Sequence, residues 1–500
     1  MTPGTARGTL GAVAAGDPRA AVVGLSAIAD GGNAFDAVLA AAATQWVVMP
    51  DMCGPGGDLF ALIVGNGQQV AVNASGPAPA AGTGPGAAAS TVPAAVSGME
   101  AVAGLGARRP LADAFTAAQR IAARGFAISP SLAWQVDHSS EELRQGLIGQ
   151  WGSTESGSVV RWPAMAATLG ELACVGPDAL LSGQAGTAGV TAASEWESSG
   201  SRLTADDLRS GTASVLEPLR IDLGAWQVGG QPPVSQGVVT LLALRLLGTE
   251  GRDELAAGTA RGAHLGIEAI KAAFALAAGV VTEDGADVAQ KVLDDEPRAT
   301  GIRLGPLATD GPTITAGYGE TTHVAAADAD GNVVSLLHSL YRPFGARVLS
   351  PSTGIILNDR GDCFTMSGPG SAAPGRRPPH TLANVSAIGP RGIALALGTP
   401  GANAQVQTVA QVIVGLLHEP PERWAEVLDE PRWAFWGGRD VAVENRLDRP
   451  SLDDLAGRGH RLVSRASHDW LAGAVGVAAS TPQGPLAAQD TRRAGVALAL

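Results

Sequence analysis

Two successive patterns of predicted secondary structure along the chain favour a layered α+β fold. Residues 97–300 look mainly helical, whereas after about residue 310 short apolar runs alternate with turn signals. Such runs are typical of strands paired in hairpins. Strands grouped in hairpins, with helices on their flanks, favour a sandwich of helical and sheet layers. Hydrophobic residues are 45% of the 500 residues and charged residues 16%, which supplies a core and excludes a disordered chain.

The helices are predicted from apolar segments bounded by start and stop signals. The first ends before Gly31-Gly32, a C-terminal stop signal, and Asn33 can cap the second. Residues 76–96 are rich in Gly, Ala and Pro and are expected to form a loop. The predicted helices are 18–29, 34–48, 111–124, 163–171, 205–209, 237–247, 261–278 and 402–418.

The strands are predicted from short apolar runs on either side of turn residues. Asp330-Gly331-Asn332, for example, separates two such runs and favours a hairpin. The predicted strands are 59–64, 70–74, 323–327, 333–337, 354–357, 385–388 and 393–397, with another pair near the C-terminus.

Charge and cysteine content limit the possible partners. The net charge is −13, so the chain lacks the basic surface that nucleic acid or an anionic membrane requires. The apolar stretches are too short or too charged to span a bilayer, and residues 1–16 do not resemble a signal peptide, so a cytoplasmic protein is expected. Cys53, Cys174 and Cys363 form no CxxC pair, which argues against a zinc site or a disulfide framework.

Standard catalytic motifs are missing. The run Gly-Pro-Gly-Gly at 54–57 lacks the Lys-Ser/Thr end of a phosphate loop and precedes a predicted strand. Neither HExxH nor GxSxG occurs. The eight histidines are scattered, and a lone histidine is more often a hydrogen-bonded structural residue than a ligand. No metal ion and no cofactor is therefore predicted.

One segment, Gly-Tyr-Gly-Glu-Thr-Thr-His at 317–323, joins a glycine-rich linker to a threonine at the start of a predicted strand. In the simpler interpretation Thr321 only begins the strand, because threonine is a good strand former. In the other, the chain cuts itself before Thr321, which then supplies a hydroxyl nucleophile and, through its freed α-amine, a general base. An α-amine has a pKa of roughly 7.7–8.0, so near pH 7 much of it can accept the hydroxyl proton.

Over nearly its whole length the chain resembles the γ-glutamyltranspeptidase family of N-terminal-nucleophile hydrolases. Each matching motif is weak alone, but the ordered set is specific. The chain has glutamine at position 236, and glutamine at this point of the motif is associated with the amidohydrolase-like branch of the family. The matching segments are 31–37, 54–58, 162–179, 203–208, 232–237, 321–323, 330–332, 344–345, 354–358 and 399–401.

The resemblance implies an αββα sandwich that is cut between Glu320 and Thr321. Residues 1–320 would form a largely helical large subunit and residues 321–500 a small catalytic subunit, so the protein would be a heterodimer of its own fragments. Thr321 would be the nucleophile. Ser339 stands where the family has a second threonine whose hydroxyl hydrogen-bonds near the nucleophile. Gly401 and Ala402 replace a Gly-Gly pair whose N–H groups form the oxyanion hole, a role that Ala402 can keep if its φ is negative.

The chain departs from the family pattern where a γ-glutamyl donor would bind. Ser75 replaces the arginine that binds the donor's α-carboxylate, and Cys363 replaces the acidic residue that binds its α-amino group. Arg360 could bind the carboxylate from another direction, or could be a solvated surface residue. The predicted substrate-binding residues are Ser75, Tyr341, Arg360, Asp362, Cys363, His380 and Thr381.

The resemblance therefore implies an autoprocessed amidase or acyltransferase that acts through a Thr321 acyl-enzyme on a small acyl amide. Water or an amine would accept the acyl group. γ-Glutamyl compounds such as glutathione are the default donors, although the altered pocket predicts weak γ-glutamyl turnover, with hydrolysis faster than transfer. The alternatives are an oxamate-type small-amide hydrolase, a secondary-metabolite acylase or, in another class, an uncleaved relative that only binds a metabolite.

Overall fold

The computed structural model describes residues 4–65, 67–181, 186–299, 304–314 and 319–500. The helices are α1 (Pro18–Ala29), α2 (Ala34–Val48), α3 (Ala95–Gly106), α4 (Leu111–Arg124), α5 (Pro130–Asp137), α6 (Glu141–Trp151), α7 (Pro163–Val175), α8 (Asp178–Leu181), α9 (Ala188–Ser198), α10 (Gly237–Leu246), α11 (Gly248–Ala256), α12 (Ala260–Leu276), α13 (Ala286–Ala299), α14 (Ala404–His418), α15 (Trp424–Asp429) and α16 (Arg449–Gly457). The strands are β1 (Gly4–Arg7), β2 (Gly11–Ala15), β3 (Asp58–Gly65), β4 (Gln68–Ala74), β5 (Phe126–Ala127), β6 (Val159–Val160), β7 (Ser214–Leu216), β8 (Leu219–Leu223), β9 (Trp226–Gly230), β10 (Glu320–Asp328), β11 (Val333–Tyr341), β12 (Val385–Ile388), β13 (Ala394–Gly398), β14 (Trp433–Gly437), β15 (Asp440–Glu444), β16 (Arg461–Arg465), β17 (Gly476–Thr481), β18 (Gly484–Gln489) and β19 (Val496–Ala499).

Two seven-stranded sheets lie face to face at the centre of the molecule. Their strand orders are β1-β18-β17-β13-β12-β9-β8 and β19-β2-β10-β11-β3-β4-β7. Small side chains such as Ala325 and Val333 of one sheet and Ala396 and Ala478 of the other form the cluster between them. On the outer faces, α2 packs over the second sheet, and α10, α12 and α14 pack over the first. The predicted sandwich of helical and sheet layers is confirmed.

Helix α2 illustrates how the alanine-rich composition permits these layers. Asn33 caps its N-terminus and forms a capping box with Asp36, an interaction worth about 1 kcal/mol. Every one of its 15 residues is buried, because it lies between the second sheet and the helices α1 and α4. Small side chains let these helices approach closely, and Trp46 fills the remaining space against Phe115.

Both sheets contain strands from before and after position 320. The strand β10 lies between β2, from the N-terminal part, and β11, which in turn pairs with β3. In the other sheet β9 pairs with β12. The parts on either side of the predicted cut therefore share one core.

Several sequence predictions hold to the residue: the helices 18–29, 34–48 and 111–124 and the strand 385–388. The helix predicted at 402–418 begins at Ala404 instead, because the chain at Gly401 and Ala402 has positive φ angles. No helix in the described ranges is long and apolar enough to cross a membrane. The glycine-rich residues Gly317 and Tyr318, named before the predicted cut, lie outside the described residues.

Two predictions of local structure are wrong, and a third needs an addition. The span 97–300 is mainly helical, as predicted, but it also contains short strands, among them β7, β8 and β9. Leu219, Ile221 and Leu223 of β8 alternate with more exposed residues, a period-two signal that is typical of a strand. The predicted strand 354–357 makes only the isolated bridge of Leu349 to Ile356, and 205–209 gives only a short 3-10 turn at 207–210.

Candidate active site

Thr321 lies at a β-bulge close to the start of β10. Glu320 pairs with Tyr341 and Thr322 pairs with His338, so two residues of β11, Ser339 and Leu340, lie opposite Thr321 alone. A bulge of this kind redirects a side chain relative to the regular pleat. The Thr321 side chain is buried and contacts Ser339.

The Ser339 hydroxyl links Thr321 to the peptide bond that precedes it. Thr321 Oγ1 donates a hydrogen bond to Ser339 Oγ at 3.2 Å, and Ser339 Oγ donates to the carbonyl oxygen of Glu320 at 2.7 Å. The backbone N–H of Tyr341 donates to Ser339 Oγ at 2.8 Å and so fixes this arrangement. A hydroxyl that donates to a carbonyl polarises it and stabilises the negative charge that forms on attack.

A wholly buried arginine stands next to this hydroxyl. Arg360 is 0% exposed, so the alternative that it is a solvated surface residue is wrong. Its Nη2 donates to Ser339 Oγ and its Nη1 to Thr381 Oγ1, each at 3.3 Å, and Nη1 also contacts Cys363 Sγ at 3.7 Å. Its guanidinium lies 4.5 Å from the centre of the Tyr341 ring. Four of the predicted residues, Ser339, Tyr341, Cys363 and Thr381, therefore surround one cation.

Asp58 and His380 complete this buried cluster. Asp58 Oδ2 accepts from Arg360 Nε at 3.3 Å and from His380 Nε2 at 3.0 Å, and Gly76 N–H donates to Asp58 Oδ1 at 3.0 Å. Burial lowers the pKa of His380 to about 4, so at neutral pH this imidazole is uncharged. Arg360 is thus the cation that balances the charge of Asp58. Asp58 belongs to the motif at 54–58, but the sequence did not indicate this role for it.

Two predicted substrate-binding residues are directed elsewhere. Ser75 is wholly buried, and its hydroxyl donates to Asn73 Oδ1 at 2.7 Å. Asp362 forms an ion pair with Arg342 in an exposed position. Cys363, by contrast, contacts Arg360, and burial raises the pKa of its thiol.

The condition set for Ala402, a negative φ, is not met. Its φ is +48° and that of Gly401 is +131°. The turn between β13 and α14 requires this left-handed backbone, which costs an alanine about 1–2 kcal/mol. The turn lies against the segment before Thr321, since a Cβ added to Gly319 would lie 2.8 Å from Ala402 Cβ. The predicted oxyanion-hole pair therefore adjoins the chain two residues before Thr321.

A cavity of about 460 Å³ opens beside Thr321. Much of its wall is apolar, and Met49, Met52, Trp134 and Trp470 contribute to it. Among its described lining residues, none belongs to the predicted substrate-binding set. The cavity thus reaches Thr321, whereas the Arg360 cluster contacts Ser339. Sequence analysis missed this cavity, because its walls come from distant parts of the chain.

Charged groups also line this cavity. Arg493 Nη1 pairs with Glu320 Oε2 at 2.7 Å, and Gln135 Nε2 donates to Glu320 Oε1 at 3.3 Å. Asp51 Oδ2 is buried and has no hydrogen-bond partner among the described residues. Burial, and then the nearby Glu320 carboxylate, raises the pKa of Asp51 to about 7. No local motif marks Arg493 or Gln135, and only the glycine-rich loop around Asp51 was a visible signal.

Two further histidines, His323 and His338, lie on the strands that carry Thr321 and Ser339. His338 Nδ1 accepts from Trp46 Nε1 at 3.1 Å, and His338 Nε2 lies 2.8 Å from Gln45 Oε1. His323 Nε2 lies 2.8 Å from Ser335 Oγ. Burial lowers the pKa of each of these two imidazoles to about 3. Protonation of His338 would place a proton on Nδ1 and break the bond from Trp46.

We expect the protein to lose stability as the pH falls from about 6.5 toward 4. The folded pKa values of His323, His338 and His380 lie below the ordinary imidazole pKa of 6.5, so over this interval the unfolded chain binds more protons than the folded one. The expected loss is several kcal/mol, because each pKa unit corresponds to about 1.4 kcal/mol. Thermal melting between pH 7.5 and pH 4.5 measures this loss.

A matched pair of variants tests whether the buried histidines cause this loss of stability in acid. His323→Asn should flatten the dependence of melting temperature on pH, whereas His418→Gln, at an exposed ion pair with Asp253, should leave it unchanged. A melting temperature that stays constant across the interval would contradict the burial of neutral imidazoles.

A group that could offer three metal ligands lies away from Thr321. The ligand atoms of His264, Glu268 and His460 are within 4.8 Å of one another. However, the Glu268 carboxylate is already bound by Lys271 Nζ at 2.7 Å and by Thr309 N–H at 3.1 Å. The ammonium group would repel a divalent cation, so the contacts favour a buried hydrogen-bonded network here.

Comparisons with known proteins agree with this architecture. A family model described as gamma-glutamyltranspeptidase matches residues 20–500. Acylase ACY 1 proenzyme from a Pseudomonas species is 31% identical over 524 residues, covering 96% of this chain and 92% of the relative. Oxamate amidohydrolase proenzyme from Klebsiella pneumoniae is also 31% identical, covering 95% of each chain. The crystal structure of cephalosporin acylase from Bacillus halodurans superimposes with a TM-score of 0.89 at 29% identity, covering 99% of this chain and 97% of that one.

Proposed function

The chain belongs to the gamma-glutamyltranspeptidase family of hydrolases and acylases, and we propose that it cuts itself between Glu320 and Thr321 and then hydrolyses acyl amides through Thr321. The observation that carries the proposal is the continuous hydrogen-bond chain from the Thr321 hydroxyl through Ser339 to the Glu320 carbonyl. The word proenzyme in the names of two relatives supports processing.

The first reaction uses the chain's own peptide bond. Thr321 Oγ1 attacks the carbonyl carbon of Glu320, and Ser339 stabilises the charge on the carbonyl oxygen. The C–N bond breaks, the nitrogen takes the hydroxyl proton, and an ester remains on Thr321. Water then hydrolyses this ester, which leaves a carboxylate on Glu320 and a free α-amine on Thr321.

The second reaction repeats this chemistry on a substrate. The α-amine of Thr321 takes the proton of Thr321 Oγ1, and the oxygen attacks the substrate carbonyl. The α-amine then passes this proton to the nitrogen of the substrate amide, which leaves as an amine. Water, or an acceptor amine, then resolves the acyl ester. The strands β10 and β11 continue to hold the fragment that starts at Thr321, because they pair with β2 and β3 of the other fragment.

The contacts around the site favour acyl groups other than γ-glutamyl. Ser75 is wholly buried and turned to Asn73, and the Cys363 thiol has a raised pKa, so neither supplies a charge for an amino-acid head group. Arg360 is 0% exposed and already contacts Asp58, Ser339 and Thr381. We therefore place an oxamate-type or acylase-type reaction ahead of glutathione hydrolysis, with hydrolysis faster than transfer.

Mass spectrometry tests the acyl-enzyme directly. The purified protein is mixed with acetyl, oxamoyl, valeryl and γ-glutamyl amides, quenched in acid and digested. We expect an acyl mass increase on the peptide that begins at Thr321, and turnover of γ-glutamyl anilide that is slower than that of the best simple amide. If acyl groups appear on another residue, the nucleophile is misassigned. A single full-length chain that binds the amides without acylation would support the metabolite-binding alternative.

A further inference from the structure

The Ser339 hydroxyl is surrounded by hydrogen-bond donors. Thr321 Oγ1 donates to Ser339 Oγ at 3.2 Å, and the backbone N–H of Tyr341 donates to it at 2.8 Å. Nη2 of Arg360 donates to the same oxygen at 3.3 Å. A hydroxyl has two acceptor lone pairs and one proton, so these donors already exceed its lone pairs. The proton of Ser339 is therefore directed to the Glu320 carbonyl, which lies 2.7 Å away.

Arg360 is placed to act on neighbouring side chains and not on a substrate. It is 0% exposed, and it is not among the described residues that line the cavity beside Thr321. Its Nε donates to Asp58 Oδ2 and its Nη1 to Thr381 Oγ1, both at 3.3 Å. Because a guanidinium is planar, these two bonds fix the direction of Nη2, which points at Ser339. His380 Nε2 holds the same Asp58 oxygen at 3.0 Å.

The backbone of Tyr341 is held by the same cluster. Its φ is +84°, in a region that residues other than glycine seldom occupy. The Arg360 guanidinium lies 4.5 Å from the centre of the Tyr341 ring, and that of Arg342 lies 5.3 Å from it. A strained residue keeps its conformation only where its surroundings over-determine it. Arg360 therefore also helps to direct the Tyr341 N–H at Ser339.

We propose that Arg360 is a positioning residue for the reaction at Thr321, which directs the Ser339 proton to the reacting carbonyl and strengthens that hydrogen bond. The inference rests on the proposed acyl-enzyme mechanism, in which negative charge forms on the carbonyl oxygen. A cation one hydroxyl away in a buried site favours this charge, because hydrogen bonds in a chain polarise one another. This role replaces the interpretation in which Arg360 binds a substrate carboxylate.

A double-mutant cycle tests whether Arg360 acts through Ser339. Arg360→Lys keeps the charge, but an ammonium group lacks the rigid fork that joins Asp58, Thr381 and Ser339. We expect it to slow self-cleavage on the order of 10- to 100-fold. In a chain that already carries Ser339→Ala, the same substitution should change the rate by less than about threefold. Pulse-chase gels measure the four rates, and equal slowing in both backgrounds would overturn the proposal.

A charge-neutral variant and a control exclude general damage to the fold. Arg360→Met alone would leave Asp58 buried without its cation, so it is combined with Asp58→Asn. This combination should slow cleavage at least as much as Arg360→Lys, and an unchanged rate would contradict the proposal. Arg446→Lys, at a largely buried ion pair with Asp429 and Glu444, should lower the melting temperature and leave the cleavage rate unchanged.

Turnover by the cut protein distinguishes positioning from substrate binding. Because Arg360 does not line the described part of the cavity, Arg360→Lys should lower kcat for simple amides on the order of 10-fold and leave KM within about threefold. The variant is first incubated until it is fully cut. A raised KM with an unchanged kcat would mean that Arg360 contacts the substrate, which is the interpretation that the proposal replaces.

A carbonyl measurement in an uncut chain tests the hydrogen bond without any reaction. Thr321→Val removes the nucleophile. Labelling glutamate carbonyls with carbon-13 and valine nitrogens with nitrogen-15 then marks only the peptide bonds 320–321 and 426–427. Ser339→Ala removes the donor and should move the carbonyl resonance of Glu320 upfield. Arg360→Lys should move it in the same direction, but no further once the Ser339 hydroxyl is absent.

The two kinds of measurement separate this proposal from the proposed function. If the wild-type chain is not cut, but Arg360→Lys still moves the Glu320 resonance through Ser339, the catalytic proposal fails and the placement of the Ser339 proton by Arg360 stands. If the chain is cut at Thr321 and the resonance does not respond to Arg360→Lys, the positioning role is overturned and the catalytic proposal stands.

Discussion

Thr321→Ala should abolish both self-cleavage and amide turnover. The variant removes the hydroxyl that Ser339 connects by hydrogen bonds to the Glu320 carbonyl. No other group in the proposed mechanism can form the ester. On a denaturing gel the wild-type chain should give fragments of roughly 32 and 18 kDa, from 50.1 kDa over 500 residues. The variant should stay as one chain, and Thr321→Ser should retain part of both activities.

The neighbouring threonine provides a matched control. Thr322 Oγ1 accepts a hydrogen bond from Gln45 Nε2 at 2.9 Å. This contact places the Thr322 side chain on the side of the strand away from Ser339. Thr322→Ala should therefore still be cut. Two fragments from Thr321→Ala, or one intact chain from Thr322→Ala alone, would move the nucleophile to another position.

Ser339→Ala should slow self-cleavage on the order of 100- to 1000-fold, the usual cost of losing one donor to a developing oxyanion. The loss is large because the Ser339 hydroxyl donates to the Glu320 carbonyl at 2.7 Å and also accepts from Thr321. Pulse-chase gels of freshly synthesised protein measure the cleavage rate. Ser339→Thr should recover much of it, because threonine carries the same hydroxyl.

Ser335→Ala separates this effect from general damage to β11. Ser335 lies on the same strand, but its hydroxyl contacts His323 and Asn384 instead of the scissile carbonyl. Its loss should lower the melting temperature modestly and leave the cleavage rate near that of the wild-type chain. Similar slowing in both variants would mean that strand integrity, and not the Ser339 donor, limits cleavage.

The sequence predicted the part of the site that one hairpin builds. The turn at 330–332 brings Thr321 and Ser339 onto paired strands, and the bulge between Glu320 and Thr322 lets the two hydroxyls meet. The ordered motifs also predicted the layered fold. These features depend on local patterns, which a sequence displays directly.

The remaining site depends on contacts between distant segments. Arg360 is buried because Asp58, 302 positions earlier, balances it, and no local pattern marks that pairing. Arg493 meets Glu320 only because the chain after β18 returns to the start of β10. The φ of Ala402 is set by the turn between two elements, and residue type alone predicts such an angle poorly.

The interleaving of strands across position 320 means that the proposed cut would change how the protein can refold. Before the cut, refolding is a unimolecular process whose outcome does not depend on protein concentration. After it, β10 and β11 still lie between β2 and β3, so dilution cannot separate the fragments without unfolding both. Once they unfold, they must meet again in solution and lose translational entropy worth several kcal/mol. A cut that leaves the native contacts intact would thus turn a refoldable chain into a kinetically trapped pair.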